Sequence, residues 1–119
     1  MAKIPYKQQP LFWVGDSREQ LSAFPVALKR SFGFALRLVQ NGLTPDNAVP
    51  LAGLGTGVYE LKDNARGDTY RVVYLIKLRK GVYVIDAFMK KSKSGRALPR
   101  EIAARLQQRI REARRQDGK

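Results

Sequence analysis

Three apolar segments between residues 58 and 89 constrain the fold of this chain more than any other feature. They are Val58–Lys62, Thr69–Leu78 and Val82–Met89, and each is rich in β-branched or aromatic residues. Short stretches with turn-forming residues join them at Asp63–Asp68 and Arg79–Gly81. Because connections this short leave neighbouring strands antiparallel, the three segments predict a meander.

The residues before the meander predict one strand and two helices. Leu11–Val14 is a short apolar and aromatic strand candidate, and apolar residues then recur at helical spacing. Pro25 separates a short first helix from a longer one, since proline is tolerated in a first turn but not inside a helix. Asn41–Gly42 is a typical helix end. Leu43–Gly57, with its prolines and glycines, predicts an irregular crossing.

The last segment predicts a helix and completes the architecture. Pro99–Arg115 begins with proline and places apolar residues on one stripe and arginines on the other face. The order of strand, two helices, meander and helix predicts an α+β domain with its helices packed on one sheet face. A length of 119 residues predicts a single domain that spans residues 1–119.

The balance of charge indicates the class of partner. Lys and Arg total 23 against 10 acidic residues, a formal net charge of +13. Such an excess attracts polyanions and releases their counterions, which favours nucleic acid, and an acidic partner protein is the alternative. No segment is long and apolar enough to span a membrane, so we expect no membrane partner and a cytoplasmic location.

The chain lacks the side chains on which most enzymes rely. It has neither cysteine nor histidine, which removes thiolate chemistry and the commonest general base and metal ligand. No carboxylate cluster suits a metal and no glycine-rich loop suits a bound nucleotide, so we expect neither metal nor cofactor. Any catalysis must come from Lys, Arg, Tyr or the few carboxylates.

Basic and aromatic residues gather at the ends of the predicted strands. Period two places Tyr74 on one face of its strand and Arg71 on the other. A basic and aromatic sheet surface holds splayed RNA by phosphate contacts and base stacking. The candidate RNA contacts are Lys90, Lys93, Arg66 and Tyr74. The alternatives are that the tyrosines pack in the core and that the lysine run is a solvated loop.

Three ordered motifs resemble the RelE/ParE toxin superfamily. They are VYELK at residues 58–62, TYRVVY at 69–74, and a hydrophobic strand from 82 that ends in Phe88, Met89 and a basic pair. At these spacings the set looks closest to the phage-derived, HigB-like branch of type II toxin–antitoxin toxins. The resemblance also takes in PLFWVGDSRE and FGFALRLVQNG, so it covers nearly the whole chain.

This resemblance implies a fold, an activity and two partners, of which the first is messenger RNA on the ribosome. The RelE-like fold is a curved antiparallel sheet with N-terminal helices on one face and a C-terminal helix. The activity is that of an mRNA interferase, an endoribonuclease that cleaves messenger RNA on the ribosome. The second partner is a neutralising antitoxin, which in the HigB-like branch is usually a helix-turn-helix protein.

The resemblance also assigns catalytic roles. Lys62 falls at a basic active-site position on the first meander strand, and Arg71 matches the arginine of the Tyr-Arg motif. Lys91 matches the second basic residue after the last strand, and Lys90 is a phosphate contact. Metal-independent attack of an RNA 2′-hydroxyl on the adjacent phosphate then requires Arg71 and Lys91 to stabilise the developing charge. Lys62 transfers a proton if neighbouring cations lower its pKa.

The sequence departs from the family at three points. Glu60 stands where the RelE branch often has a second lysine, which weakens the phosphate clamp, and Asp86 stands where close relatives often carry histidine. No tyrosine follows Tyr83, so the C-terminal tyrosine of the RelE branch has no counterpart. Asp86 is a second candidate base. Two other functions stay open: a ParE-like toxin or basic binding module without catalysis, and a phage protein whose active site has decayed.

Overall fold

The computed structural model describes residues 8–90 and 98–119, which form five strands and three helices. In chain order the elements are β1 (Leu11–Trp13), α1 (Ser17–Ser22), α2 (Val26–Gln40), β2 (Ala48–Pro50), β3 (Val58–Ala65), β4 (Asp68–Leu75), β5 (Val82–Lys90) and α3 (Arg100–Asp117). The predicted α+β class is confirmed. None of the helices in these two ranges combines the length and the apolar character needed to cross a membrane.

The strands form one sheet in the order β1-β5-β4-β3-β2. The meander β3–β4–β5 is antiparallel, as predicted, but β1 joins the edge of β5 in parallel, so the sheet is mixed rather than antiparallel. The Val82 N–H donates a hydrogen bond to the Pro10 carbonyl at 2.9 Å where the two strands begin. Gly81 permits this approach, because a Cβ there would collide with the same carbonyl oxygen.

A short fifth strand lies inside the segment predicted to be an irregular crossing. β2 pairs antiparallel with β3, with Ala48 opposite Leu61 and Pro50 opposite Tyr59. A proline is tolerated there because β2 is an edge strand, where a backbone donor can be missing.

Helices cover both faces of the sheet. The N-terminal helices and the C-terminal helix that the resemblance implies are confirmed, but the periodicity-based prediction that all helices pack on one face is wrong. Leu28, Phe32 and Leu36 of α2 pack with Val72 and other residues on one face of the sheet. On the opposite face, Leu106, Ile110 and Ala113 of α3 pack with Val73, Leu75, Tyr83 and Ile85. The reason lies in the meander, whose strands carry apolar side chains on both faces. Each face must therefore be shielded from water by a helix.

A β-bulge in β5 determines which side chains share the α3 face. Val73 of β4 lies opposite Asp86, but the next residue, Tyr74, lies opposite Val84, which leaves Ile85 as the extra residue. Ile85 and Asp86 consequently both face α3, where Ile85 joins the apolar core and Asp86 contacts arginines. Beyond the bulge the alternation is reset, so Lys90 falls on the α3 face as well.

Candidate active site

The α3 face of the sheet is apolar at one end and charged at the other. Glu60 and Lys62 of β3, Arg71 of β4 and Lys90 of β5 lie on this face at the charged end, and we call these four residues the charged cluster. Strand register brings them together, because Lys62 lies opposite Arg71 and Lys90 lies opposite Thr69, two residues along β4 from Arg71. Diagonal neighbours at this spacing are within reach of long side chains.

A buried ion pair lies at the centre of the charged cluster. Nη1 of Arg71 is 2.7 Å from a carboxylate oxygen of Glu60, and the two side chains are only 11% and 5% exposed. Nε of Arg71 is also buried, but it has no hydrogen-bond partner among the described residues. An unsatisfied buried N–H carries a desolvation cost, so this arginine retains a donor for a further acceptor.

Lys90 is the second buried cation of the cluster. Its exposure is 7%, which is unusual for a lysine. Burial lowers the pKa of Lys90 from its usual 10.5; the nearby charges of Arg71 and Lys62 lower it further, and only Glu60 opposes them. A lysine with a lowered pKa beside other cations is typical of a group that exchanges protons or contacts an anion.

The other predicted basic residues are distributed as follows. Lys62 is exposed, so it forms the solvent side of the charged cluster. Arg66 is exposed in the β3–β4 turn with φ +53°, at the same end of the sheet but beyond the cluster. Lys91 and Lys93 lie outside the described residues. Of the predicted basic site residues, the structure therefore brings together Lys62, Arg71 and Lys90.

Tyr74 does not belong to this surface, which corrects its prediction as an RNA contact. It lies on the opposite face of the sheet under α2, is almost fully buried, and stacks on Tyr59 with ring centroids 5.6 Å apart. Burial, together with neighbouring Tyr59, raises the pKa of Tyr74 to about 12. Core packing, the alternative that the sequence left open, describes Tyr74 correctly.

Asp86 is committed to holding α3, which corrects its prediction as a candidate base. The buried carboxylate of Asp86 accepts hydrogen bonds from Arg105 Nε at 2.6 Å and from Arg109 Nη1 at 3.2 Å, and from the Ala87 N–H at 2.8 Å. Arg109 also bonds Asp16, which ties α3 to the start of α1. Both carboxylate oxygens of Asp86 are therefore occupied by donors of the fold itself.

Glu60 is the residue of the charged cluster that the sequence did not identify as a candidate site residue. The sequence indicates only a departure that weakens a phosphate clamp, whereas the structure makes Glu60 the carboxylate of the charged cluster. The signal was present in the sequence, since residues two apart on a strand share a face and the short turn fixes the register of β3 against Arg71. Among the residues that the structure describes, no group of three or more acidic side chains could hold a metal ion.

Sequence comparison assigns this architecture to a family. Residues 19–111, from α1 to most of α3, match the model of the phage-derived Gp49-like proteins (DUF891). The chain belongs to the Gp49-like family. This family is part of the wider group of RelE-type, toxin-like proteins. The match includes the whole charged cluster of this Gp49-like protein. Among curated proteins and solved structures, none matches the chain significantly.

Proposed function

We propose that this Gp49-like protein is the toxin of a type II toxin–antitoxin pair and cleaves messenger RNA on the ribosome, as HigB-like toxins do. The observation that carries the proposal is the buried Nε of Arg71, which lies between Lys62 and Lys90 and has no hydrogen-bond partner within residues 8–90 and 98–119. A phosphodiester supplies the acceptor that this donor lacks, and the two lysines supply additional positive charge. Membership of a toxin-like, phage-derived family supports the same function.

The proposed reaction is a transesterification within the RNA chain. The 2′-oxygen attacks the adjacent phosphorus, the bond from phosphorus to the 5′-oxygen breaks, and the products carry a 2′,3′-cyclic phosphate and a 5′-hydroxyl. Arg71 and Lys62 hold the non-bridging phosphate oxygens, whose negative charge grows in the transition state. The role of Lys91 in the same charge stabilisation rests on the resemblance, since Lys91 lies outside the described residues.

Glu60 and Lys90 supply the two proton transfers in this proposal. When the phosphate draws Arg71 to itself, the Glu60 carboxylate is released from its ion pair and accepts the proton of the 2′-hydroxyl. Lys90, with its lowered pKa, donates a proton to the departing 5′-oxygen. This arrangement replaces the proton-transfer role predicted for Lys62, which is exposed and better suited to binding phosphate.

The ribosome and an antitoxin complete the proposed function. A site without histidine has modest acid–base capacity, so it depends on a substrate that is already held in an in-line geometry. The ribosomal A site provides that positioning. The resemblance supplies the other partner, a helix-turn-helix antitoxin, and action on the ribosome requires a cytoplasmic location.

Primer extension on a defined messenger RNA after brief induction tests the proposal. Wild type is compared with Arg71→Ala and Lys62→Ala, and the matched controls are Arg111→Ala and Lys29→Ala, which remove exposed charges on α3 and α2. We expect cuts within codons that require translation. They disappear in Arg71→Ala, weaken in Lys62→Ala and persist in both controls.

Two results would contradict the nuclease. Growth arrest by the wild type without any cut favours a non-nuclease toxin such as a ParE-like topoisomerase poison. Toxicity that survives both substitutions in the charged cluster points to a binding surface elsewhere. Lys62→Ala keeps the test informative if Arg71→Ala folds poorly, because Lys62 is exposed and its truncation leaves no buried charge.

A further inference from the structure

Two strongly exposed apolar side chains lie on the outer face of α2. Phe34 is 65% exposed and Val26 is 60% exposed, and a separation of eight residues places both on the same side of the helix. The same side of α2 carries three further exposed residues. Arg30 and Gly33 lie between Val26 and Phe34, and Arg37 lies one turn after Phe34. We call these five residues the outer face of α2.

Gly33 has no role in the packing of the described chain. It lies in the middle of α2, and a Cβ added there would meet no described atom within 4 Å. Glycine in an exposed helix interior is destabilising relative to alanine, so the fold gains nothing from its presence. Because glycine has no Cβ, the backbone of a second molecule could approach α2 closely at Gly33.

A groove beside Phe34 extends this surface. It has a volume of about 410 Å³ and runs between α2, residues 44–47 and the end of β3. Phe34, Leu38 and Pro45 form its apolar part, and Lys62 and Asp63 of β3 line its far end. A groove of this kind accepts an apolar side chain from a partner. A phosphate backbone gains nothing from the exposed apolar side chains of Val26 and Phe34, so this surface suits a protein better than an RNA.

We propose that the outer face of α2 is a docking surface for an acidic partner protein. Apolar side chains of the partner cover Val26 and Phe34, its backbone crosses at Gly33, and its carboxylates pair with Arg30 and Arg37. Charge complementarity selects this occupant, since the chain carries a net +13 and a second copy would place arginines against arginines. The inference rests on the proposed function in one respect, which is that the partner is the neutralising antitoxin.

The probe is the purified product of the reading frame adjacent to the gene of this chain, titrated into the full-length protein. We expect Phe34→Glu and Gly33→Gln to weaken binding at least about tenfold. Leu43→Glu is the matched control, because Leu43 is a similarly exposed apolar residue outside the outer face, and it leaves affinity unchanged. Reversal of both arginine charges, Arg30→Glu with Arg37→Glu, weakens binding and reduces its dependence on salt.

Several results would overturn the docking surface. They are failure of the adjacent product to bind the wild type, equal binding by all the variants, and wild-type self-association that Phe34→Glu abolishes. Loss of RNA binding in the arginine variants, with unchanged binding of the adjacent product, assigns the face to RNA instead.

The proposed nuclease is tested separately by primer extension. α2 packs on the side of the sheet opposite the charged cluster, but the groove beside Phe34 reaches Lys62. Gly33 does not line that groove, so Gly33→Gln without the partner gives the wild-type cuts. If the wild type makes no cuts while the binding pattern holds, the nuclease fails and the docking surface stands.

Discussion

Two buried contacts between a carboxylate and arginine lie on the same face of the sheet, and they differ in how completely they are satisfied. Asp86 binds both Arg105 and Arg109, and these contacts attach α3 to β5. Glu60 binds Arg71, which joins two strands that the backbone ladder already pairs, and Arg71 keeps a buried donor without a partner in the described chain. Both carboxylates are buried, but Asp86 has two arginine partners, of which Arg105 is 41% exposed, whereas Glu60 has one, which is 11% exposed. In the proposed function, this remaining donor of Arg71 binds the substrate, whereas the donors around Asp86 are used by the fold.

The largest expected effect separates the two contacts by activity. Arg71→Ala removes the donor that binds the phosphate in the proposed reaction, and we expect the single-turnover cleavage rate per folded molecule to fall about 100- to 1,000-fold, as for loss of an oxyanion donor. The rate is measured with purified protein and programmed ribosomes, with the folded fraction determined by circular dichroism. An unchanged rate would place the phosphate elsewhere.

For stability we expect the reverse order, with a larger loss when the contacts of Asp86 are broken. Arg109→Ala deprives buried Asp86 of one partner and breaks the bond to Asp16, and we expect a loss of about 3 kcal/mol in the free energy of unfolding. Cleavage per folded molecule stays at the wild-type rate. Urea denaturation measures the change, and exposed Arg111→Ala is the control, with less than about 0.5 kcal/mol. Equal stability of the two variants would remove the assigned anchoring role.

The pH dependence of cleavage sharpens the assignment of Lys90. A proton donor acts only while protonated, so the rate should decline as the pH rises through the lowered pKa of Lys90, which lies below 10.5. Lys90→Arg keeps the charge but does not deprotonate in this range, so this decline disappears and the rate at neutral pH is lower. The same alkaline decline in both proteins would exclude Lys90 as the donor.

The smallest expected effect concerns Asp16, the partly exposed partner of Arg109. A hydrogen bond from Arg109 lowers the pKa of Asp16 below 3.8, although partial burial opposes this. A lowered carboxyl pKa stabilises the fold above the unfolded value, and this contribution is lost as the pH falls through the lowered pKa. Asp16→Asn should therefore cost less than about 1 kcal/mol at neutral pH. Urea denaturation at several pH values should show the difference from wild type closing in acid; a constant difference would contradict the ionic origin.

The sequence predicts well those features that depend on local periodicity. Strand alternation places Arg71 and Tyr74 on opposite faces, and helical spacing with Pro25 predicts the boundary before α2. It also places Lys90 on the face of Asp86 and Phe88, as the structure has it. These predictions need only the direction of neighbouring side chains along one element.

Features that depend on distant parts of the chain were not predicted. The bulge at Ile85 depends on the pairing of β4 with β5, and no residue type in the sequence predicts it. The parallel pairing of β1 with β5 joins segments about seventy residues apart. The commitment of Asp86 to α3 depends on Arg109, which sequence reasoning treated only as part of an arginine-rich helix face.

The chemical nature of the cleaved ends tests the central claim most directly. Purified wild type, Arg71→Ala and Arg109→Ala are each added to ribosomes programmed with a short messenger RNA, and the fragment ends are analysed by kinase labelling and mass spectrometry. The charged cluster predicts a 2′,3′-cyclic phosphate and a 5′-hydroxyl from wild type and Arg109→Ala, and no fragments from Arg71→Ala. Fragments with a 5′-phosphate, wild-type cutting by Arg71→Ala, or intact RNA with the wild type would contradict it.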